Sequence, residues 1–505
     1  MYRDGATKSA WQQEIKRFDQ QHLIGNQQYD VAIIGGGITG VSTAYQLQKK
    51  GKKCIILEAR NIGFGTTGGT TSHINNFFDT SYDEIISKFN EEAAKLMLRG
   101  GNEAMQTIKQ NIDELQLDCD HEYHSGYIFA LDEEQEKMLD KMVEGSATAG
   151  LEMKEATNPF PIPALKTVEV ERQAQMNPMK YLRGLAEAFI KMGGTIIEEC
   201  AVLEIDDDKE EIKLQTSQGA VRSKFLVQAT HIPLGKNVLH AVNKPYRSYV
   251  MALKIKGDNV PQAMGYDLCD PYHYYRPQII DGKMYLIAGG NDHLTGDSTD
   301  TNTCFSELEK YVRQFFDVEE VSWFWSSQYF TPADGLPYIG HLPGNSENVF
   351  AATGFSGNGI ILGTLSGNII ADLILSGESI YKKLFSPSRI KPLATAFETL
   401  KQAGNMIKAL TIDKWTMEKM PDLADLPEDS GKVVVYEGRK LAIYRDATGK
   451  LLALNSTCTH MGCGVFYNSA EKSWDCPCHG SRFNLQGRVL TGPAVKDLEQ
   501  IDIQG

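Results

Sequence analysis

The stretch YDVAIIGGGITGVSTAYQLQKKGKKCIILEAR, residues 29–60, constrains the fold of this chain more than any other. Val31 to Ile34 is a short β-branched run suited to a buried parallel strand. Gly35, Gly37 and Gly40 follow in G-x-G-x-x-G spacing, Val41 to Lys50 reads as a helix, and Lys53 to Leu57 reads as a second strand ending at Glu58. The first glycine permits a tight turn, the second lets backbone approach a pyrophosphate, and the third lets helix and strand pack closely. The helix start, with Ile38 and Thr39, offers amide donors and the positive end of its dipole to phosphates. Glu58 is placed to accept from a ribose hydroxyl, with Ala59 and Arg60 beside it. A lone G-x-G-x-x-G is weak, but here strand, helix, second strand and terminal acid fall in register. A dinucleotide site is expected.

The chain has 505 residues, too many for one hydrophobic core, so several domains are expected. Its formal net charge of -14, without a lysine or arginine block, excludes nucleic acid as a partner class. The polar N-terminus, residues 1–28, shows no apolar core of a secretory signal and reads as an extension. Val349 to Leu375 is apolar enough to raise a membrane span, but Gly354, Gly357 and Gly359 read better as a strand, a tight loop and a buried helix. A cytoplasmic protein without a transmembrane segment is expected.

Cysteines Cys54, Cys119, Cys200, Cys269 and Cys304 are scattered singly and read as small buried apolar residues. The other four cluster near the end of the chain. After Phe385, Pro387 and Pro392 mark a boundary, and Leu393, Phe397, Leu400, Ile407 and Leu410 recur at helical spacing. Residues 386–418 are expected to be a helical connector docked on the preceding domain, with peripheral membrane contact as the alternative. From about Asp422 the texture turns to β: KVVVYEG, KLAIYRD and LLALN. Into this small domain are set Cys458-x-His460 and Cys476-x-x-His479, separated by 15 residues. Two thiolates and two imidazoles suit a 2Fe–2S cluster with mixed ligands. They also suit a tetrahedral zinc site, although zinc motifs commonly open on C-x-x-C.

The string CTHMGC…CPCHGS resembles the Rieske proteins of cytochrome bc complexes, over roughly residues 419–505, departing from the usual CTHLGC only at Met461. The resemblance implies that Cys458 and Cys476 hold one iron and His460 and His479 the other. It implies a disulfide between Cys463 and Cys478. It gives Ser481 the role of donor to a bridging sulfide, whereas Phe483 stands where those proteins have a tyrosine donor. Losing that donor lowers the expected potential.

Residues 29–385 resemble the D-amino-acid-oxidase/glycine-oxidase family of flavoproteins. The glycine- and threonine-rich loop ARNIGFGTTGGTTSH, with Thr66, Thr67 and Gly68, follows Glu58 as the family's flavin loop does. Val202, then Ala229 and Thr230 in FLVQAT, fall where the family meets the adenine and the flavin. Thr331, Asp334, Pro337 and Ile339-Gly340 match its T-x-x-D-x-x-P-x-I-G element. Gly354, Phe355, Gly357, Asn358, Gly359 and Ile360 match the loop and helix start at the flavin ring.

The implied architecture is α/β: a Rossmann-like FAD-binding domain (about 29–90, 155–235 and 325–382) with an interleaved antiparallel substrate domain, then a small all-β Rieske domain. FAD is expected to be non-covalent. His73 is the alternative tether, with a pocket or cap role expected of it. The family oxidises a C–N bond of an amine or amino acid, and a substrate carboxylate usually needs an arginine. Arg276 is the first candidate and Arg247 the second, with Tyr249, His273 and Tyr275 shaping the pocket.

Fusion of a two-electron flavin with a one-electron cluster suggests a dehydrogenase passing electrons from substrate to FAD, to cluster, to a redox protein or quinone. The D/E-x-x-H-x(4)-H spacing of a mononuclear iron site is absent: Asp118-x-x-His121 and Asp270-x-x-His273 begin it without the second histidine. Self-contained hydroxylation is therefore not expected. The alternatives are an electron-transfer module filled by another donor, and a redox sensor.

Overall fold

The parallel sheet that the glycine turn demands is present. A computed structural model of the chain describes residues 3–13, 17–18, 23, 27–208, 210–296, 300–389 and 425–503. The expected connector helix falls almost wholly outside them. Strands run in the order Tyr338–His341, Val349–Thr353, Gly219–Gln228, Gln28–Ile34, Cys54–Leu57, Thr195–Ile197. The four pairings from Val349–Thr353 to Thr195–Ile197 are parallel. These strands are buried on both faces, which explains their near-continuous apolar runs.

Helix Ile38–Lys49 leaves the turn after Gly37, and Gly35 there has φ +108°. A Cβ at Gly40 would sit 1.9 Å from the Gly35 carbonyl oxygen, so the third glycine is a packing requirement. Against this helix lies Gly359–Ser376, where a Cβ at Gly367 would come 3.0 Å from Ser42. Among the described residues this is the helix long and apolar enough to cross a membrane. Its apolar faces are instead occupied by the flanking helices Ile38–Lys49 and Glu91–Leu115.

The second sheet runs Val318–Pro332, Asn243–Ile255, Lys283–Leu294, His273–Ile280, Met264–Asp267, Glu122–Ala130, Lys166–Gln175, His73–Ile74. All of these pairings are antiparallel except Met264–Asp267 with Glu122–Ala130. The C-terminal domain holds two four-stranded antiparallel sheets. One is Ser430–Tyr436, Arg439–Arg445, Leu451–Asn455 and Gln500–Ile501, and the other Phe466–Asn468, Ser473–Asp475, Arg482–Asn484 and Val489–Thr491.

A buried charge cluster joins the parts. Arg482 bonds Asp475 at 3.1 Å and Asp4 at 3.3 Å, and Arg247 lies 3.6 Å from Glu471 and 4.0 Å from Asp475. Arg3 donates to the Ser326 carbonyl and lies 4.0 Å from Glu471, and Glu471 also accepts from the Ala6 amide at 2.8 Å. Residues 3–13 of the N-terminal extension are thus a strap clamped between the domains. It continues along the glycine-rich loop, where Ser9 Oγ donates to the Gly68 carbonyl and Trp11 Nε1 to that of Thr70.

Burial would push the Asp475 carboxyl up, but Arg482 and Arg247 hold it below its ordinary value. Burial would also lower Arg482, and Asp475, Asp4 and Glu471 outweigh it. Removing one member strands its partners in a dry site. Arg247→Ala is expected to cost about 3–5 kcal/mol in the unfolding step that releases the C-terminal domain, checked by urea denaturation.

Candidate functional site

One cavity of about 1000 Å³ begins at the glycine turn and ends between the two large sheets, at the upper limit of ordinary small-molecule sites. Its first end is walled by Gly35, Gly37, Ile38, Thr39, Glu58, Ala59, Arg60 and Val202. Thr66, Thr67, Ala229 and Thr230 continue the wall, and Phe355, Gly357, Asn358, Gly359 and Ile360 close it. Of the expected dinucleotide contacts, Gly40, Gly68 and Gly354 stand behind it. They pack respectively against the Gly35 carbonyl, against Gln12 and the Gly63 carbonyl, and against Asn243 and Pro332.

Glu58 accepts from the Gly36 amide at 2.7 Å and the Arg60 amide at 2.8 Å. Burial pushes its carboxyl up to about 7, against the pull of those two amides. The Ile38 amide donates to Thr67 Oγ1 at 3.0 Å, tying the helix start to the glycine-rich loop. A wall of backbone amides, small residues and a helix N-terminus matches what a dinucleotide requires.

The four expected catalytic residues do not line this cavity. Arg276 donates through Nε to the Thr71 carbonyl and through Nη1 to the Pro277 carbonyl at 3.2 Å, and its guanidinium lies 5.1 Å from the Trp11 ring. Burial pushes it down to about 9. It is a strut covered by the N-terminal strap. Arg247 belongs to the interdomain charge cluster. Tyr249 bonds His293 Nε2 at 2.9 Å in the core beneath the sheet, and Tyr275 packs there against Phe160 and Phe316. His273 is held by Asp267 at 2.8 Å.

The reason is strand alternation. Ser248 and Val250 face the cavity, so Arg247 and Tyr249 face away; Tyr274 faces it, so His273 and Tyr275 do not. Arg276 shares the face of Tyr274 but lies under the strap. Sequence reasoning missed Ser248, Tyr266, Tyr272, Tyr274 and Tyr329, which do line the cavity along with Asp79 and His73. The period-two pattern around Ser248 and Tyr274 was the available signal. The neighbouring trio Asp267, Cys269 and His273 is internally satisfied, since Asp267 accepts from His273 and from the Tyr311 hydroxyl at 2.9 Å.

The C-terminal domain supplies the far wall of the same cavity through Arg488 to Gly492, Ala494 and Val495. Its four expected ligands converge. Cys458 and Cys476 lie within side-chain hydrogen-bonding reach, which favours the Cys458 thiolate and holds the Cys476 thiol up. The His460 and His479 rings are 5.0 Å apart. Cys463 and Cys478 form a disulfide linking the two loops. His460 Nε2 donates to the Gly235 carbonyl at 3.0 Å, and its Nδ1 is buried without a partner. An orphaned buried nitrogen on a histidine beside His479 is what a metal cluster would satisfy. Burial lowers the pKa of both histidines, His479 to about 3, keeping the neutral imidazoles that a metal needs. Ser481 reaches the Cys458 sulfur as well, while Phe483 is packed in the core without a hydroxyl to offer. The residues fit a 2Fe–2S cluster.

Cluster loops and flavoprotein touch directly. His240 lies 4.6 Å from the His460 ring and 5.3 Å from that of His479. Gln328, on the cavity wall, donates through Nε2 to the Gly480 carbonyl at 2.9 Å, one residue from His479.

Fold and site together define a dinucleotide-dependent oxidoreductase joined to an iron–sulfur electron carrier. Two family models match, "FAD dependent oxidoreductase" (DAO) over residues 30–373 and "Rieske [2Fe-2S] domain" over residues 417–502. The chain is 33% identical over 479 residues to the Rieske 2Fe-2S iron-sulfur protein YhfW of Bacillus subtilis (strain 168), covering 94% of this chain and 93% of that one. It is 24% identical to the gamma-glutamylputrescine oxidoreductase of Escherichia coli (strain K12), covering 68% of this chain and 83% of that one. The solved glycine oxidase of Geobacillus kaustophilus superposes with a TM-score of 0.61 at 22% identity, over 72% of this chain and all of that one. The chain belongs to the DAO family of FAD-dependent oxidoreductases and carries a C-terminal Rieske domain. Its cofactors are FAD and a 2Fe–2S cluster.

Replacing both Cys463 and Cys478 by serine is expected to leave the cluster's electron paramagnetic resonance signal present while lowering stability by about 2–4 kcal/mol. Cys476→Ser is expected to abolish that signal. Spectra and thermal melts of the purified variants check both.

Proposed function

We propose that this chain is an amine or amino-acid dehydrogenase that oxidises a C–N bond and delivers the electrons to a redox protein or a quinone. Bound FAD accepts a hydride and can return electrons singly, and the 2Fe–2S cluster carries one electron. The polypeptide's part is positioning. In the turn from Gly35 to Ile38 the amides of Gly35, Gly36 and Ile38 bond Leu57, Glu58 and Thr67, so the Gly37 amide and the dipole of the helix start face the pyrophosphate, and the Thr66–Thr67 loop is braced against that turn. The wall of Ser248, Tyr266, Tyr272, Tyr274 and Tyr329 orients the substrate and excludes water from it. His73 remains neutral beside that wall, with its pKa lowered to about 3 by burial and the nearby Arg276.

The observation that carries the reading is Gln328. It lines the cavity and also bonds the cluster loop next to His479. Thr66, on the opposite side of the wall, donates to the Gln328 carbonyl at 2.7 Å. Flavin pocket and cluster loop are therefore separated by one hydrogen-bonded residue, a short route for single electrons.

The test is anaerobic. A panel of amino acids, N-methyl amino acids and polyamines is added to the holoprotein, with flavin bleaching followed optically and the reduced cluster by electron paramagnetic resonance. One compound is expected to bleach the flavin, with the cluster signal following. If no amine does so while a nicotinamide or protein donor fills both centres, the chain is an electron-transfer module.

A further inference from the structure

We propose, resting on the dehydrogenase reading, that the substrate is a cationic amine without a carboxylate beside its reacting carbon. The wall opposite the glycine turn is a continuous run of rings. Phe77 lies 5.0 Å from Tyr266, Tyr266 lies 5.3 Å from His73, His73 lies 5.5 Å from Tyr274, and Tyr274 lies 5.7 Å from Tyr272. Ring faces carry negative charge density and attract an ammonium that has left water.

Two carboxylates reinforce that sign. Asp79 lines the cavity and is exposed there, and one oxygen accepts the Gly357 amide at 2.6 Å. Asp292 stands behind Tyr329, whose hydroxyl donates to Oδ2 at 2.8 Å, and Oδ1 is buried without a hydrogen-bond partner. Burial, with Asp79 adding to it, pushes Asp292 up to about 7, so an arriving cation would draw it into its charged form.

No lysine or arginine on this part of the wall balances them; Arg276 stands behind His73, close enough to lower its pKa, with Nη2 buried and without a hydrogen-bond partner, but it does not line the cavity. Every arginine of the chain is among the described residues, and only Arg60 and Arg488 reach the cavity. Arg60 is at the far end, where Nη2 bonds the Val489 carbonyl at 2.5 Å. Arg276 is shut out by Thr71 and Trp11. No lysine among the described residues lines the cavity. A substrate carboxylate here would find phenol hydroxyls to bond but no cationic side chain on the wall, and its charge would oppose ionisation of Asp79 and Asp292. An ammonium finds rings, hydroxyl oxygens and two acids.

The probes are tetramethylammonium and putrescine against acetate and benzoate, titrated into the holoprotein at fixed pH and ionic strength. Binding is read as perturbation of the flavin absorption spectrum. Both cations are expected to perturb it saturably and both carboxylates to leave it unchanged. Asp79→Asn and Asp292→Asn are each expected to weaken cation binding about tenfold or more, with flavin content and cluster spectrum retained. Asparagine at 79 can still accept the Gly357 amide, and the probe comparison on the unaltered protein stands if either variant fails to fold. Carboxylates binding as tightly as cations would overturn the inference, and so would binding by neither. Sarcosine or proline bleaching the flavin, with the cluster then reduced, would overturn it while leaving the dehydrogenase reading intact. Cations that bind while no amine of any kind reduces the flavin would keep the ligand class and remove the dehydrogenase reading.

Discussion

Six charges buried at one seam hold this molecule together. Arg3, Arg247 and Arg482 face Asp4, Glu471 and Asp475, and each of these residues is nearly inaccessible to solvent. Taking that many charges out of water is costly, and the cost is offset only when the set is neutral and its geometry is complete. Here the set is neutral. Its members come from the N-terminal strap, from strand Asn243–Ile255 and from the C-terminal domain. No one segment can assemble it, so the seam forms only when all three are in place. That makes residues 3–12 part of the architecture although their sequence has no periodic pattern.

The seam also fixes the distance between the two redox sites. Strand Val318–Pro332 contributes Ser326 to the charge cluster, where its hydroxyl meets Arg247 and Glu471. The next residues, Ser327 to Phe330, line the cavity, and Gln328 reaches the cluster loop. A strand rises about 3.3 Å per residue, so seam, flavin wall and cluster anchor are set by a few consecutive backbone positions. His240 and the Gly235 carbonyl then seat the histidine edge of the cluster on the same body. Such contacts hold the flavin cavity and the cluster loops at one separation.

What was legible in the sequence was contiguous in it. The glycine turn, its strands and Glu58 span 32 residues, and their spacing encodes one local geometry. The two cluster loops are equally compact, and the resemblance carried by the same string implied the disulfide that the structure shows. The tyrosine wall of the cavity was not legible, because it depends on which face of a strand meets the cavity. Arg247 beside Ser248, and Tyr275 beside Tyr274, differ by one residue in position and by a whole sheet in environment. Arg276 has the right parity, and only the three-dimensional path of the strap, with Trp11 over the guanidinium, removes it from the site. The helix Gly359–Ser376 shows the opposite limit. Its hydropathy suits a membrane, but the same apolar surface is accounted for by neighbouring helices on several sides.

The C-terminal domain makes the fold and the redox site one object. Its core contains Trp474, Phe483 and Val465, but also Cys458, Cys463 and Cys476. A domain of this size buries too little apolar surface to be secure by packing alone. The disulfide restrains the two loops, the cluster ligands pull them together, and the charge seam anchors the strands that carry Asp475 and Arg482. The ligand cysteines are therefore structural residues as much as electron-carrying ones. Cys476 follows Asp475 directly, so the interdomain ion pairs and the metal ligands share a strand end. A displacement that loosened the seam would move a cluster ligand, which ties the domain's docking to the state of its redox centre.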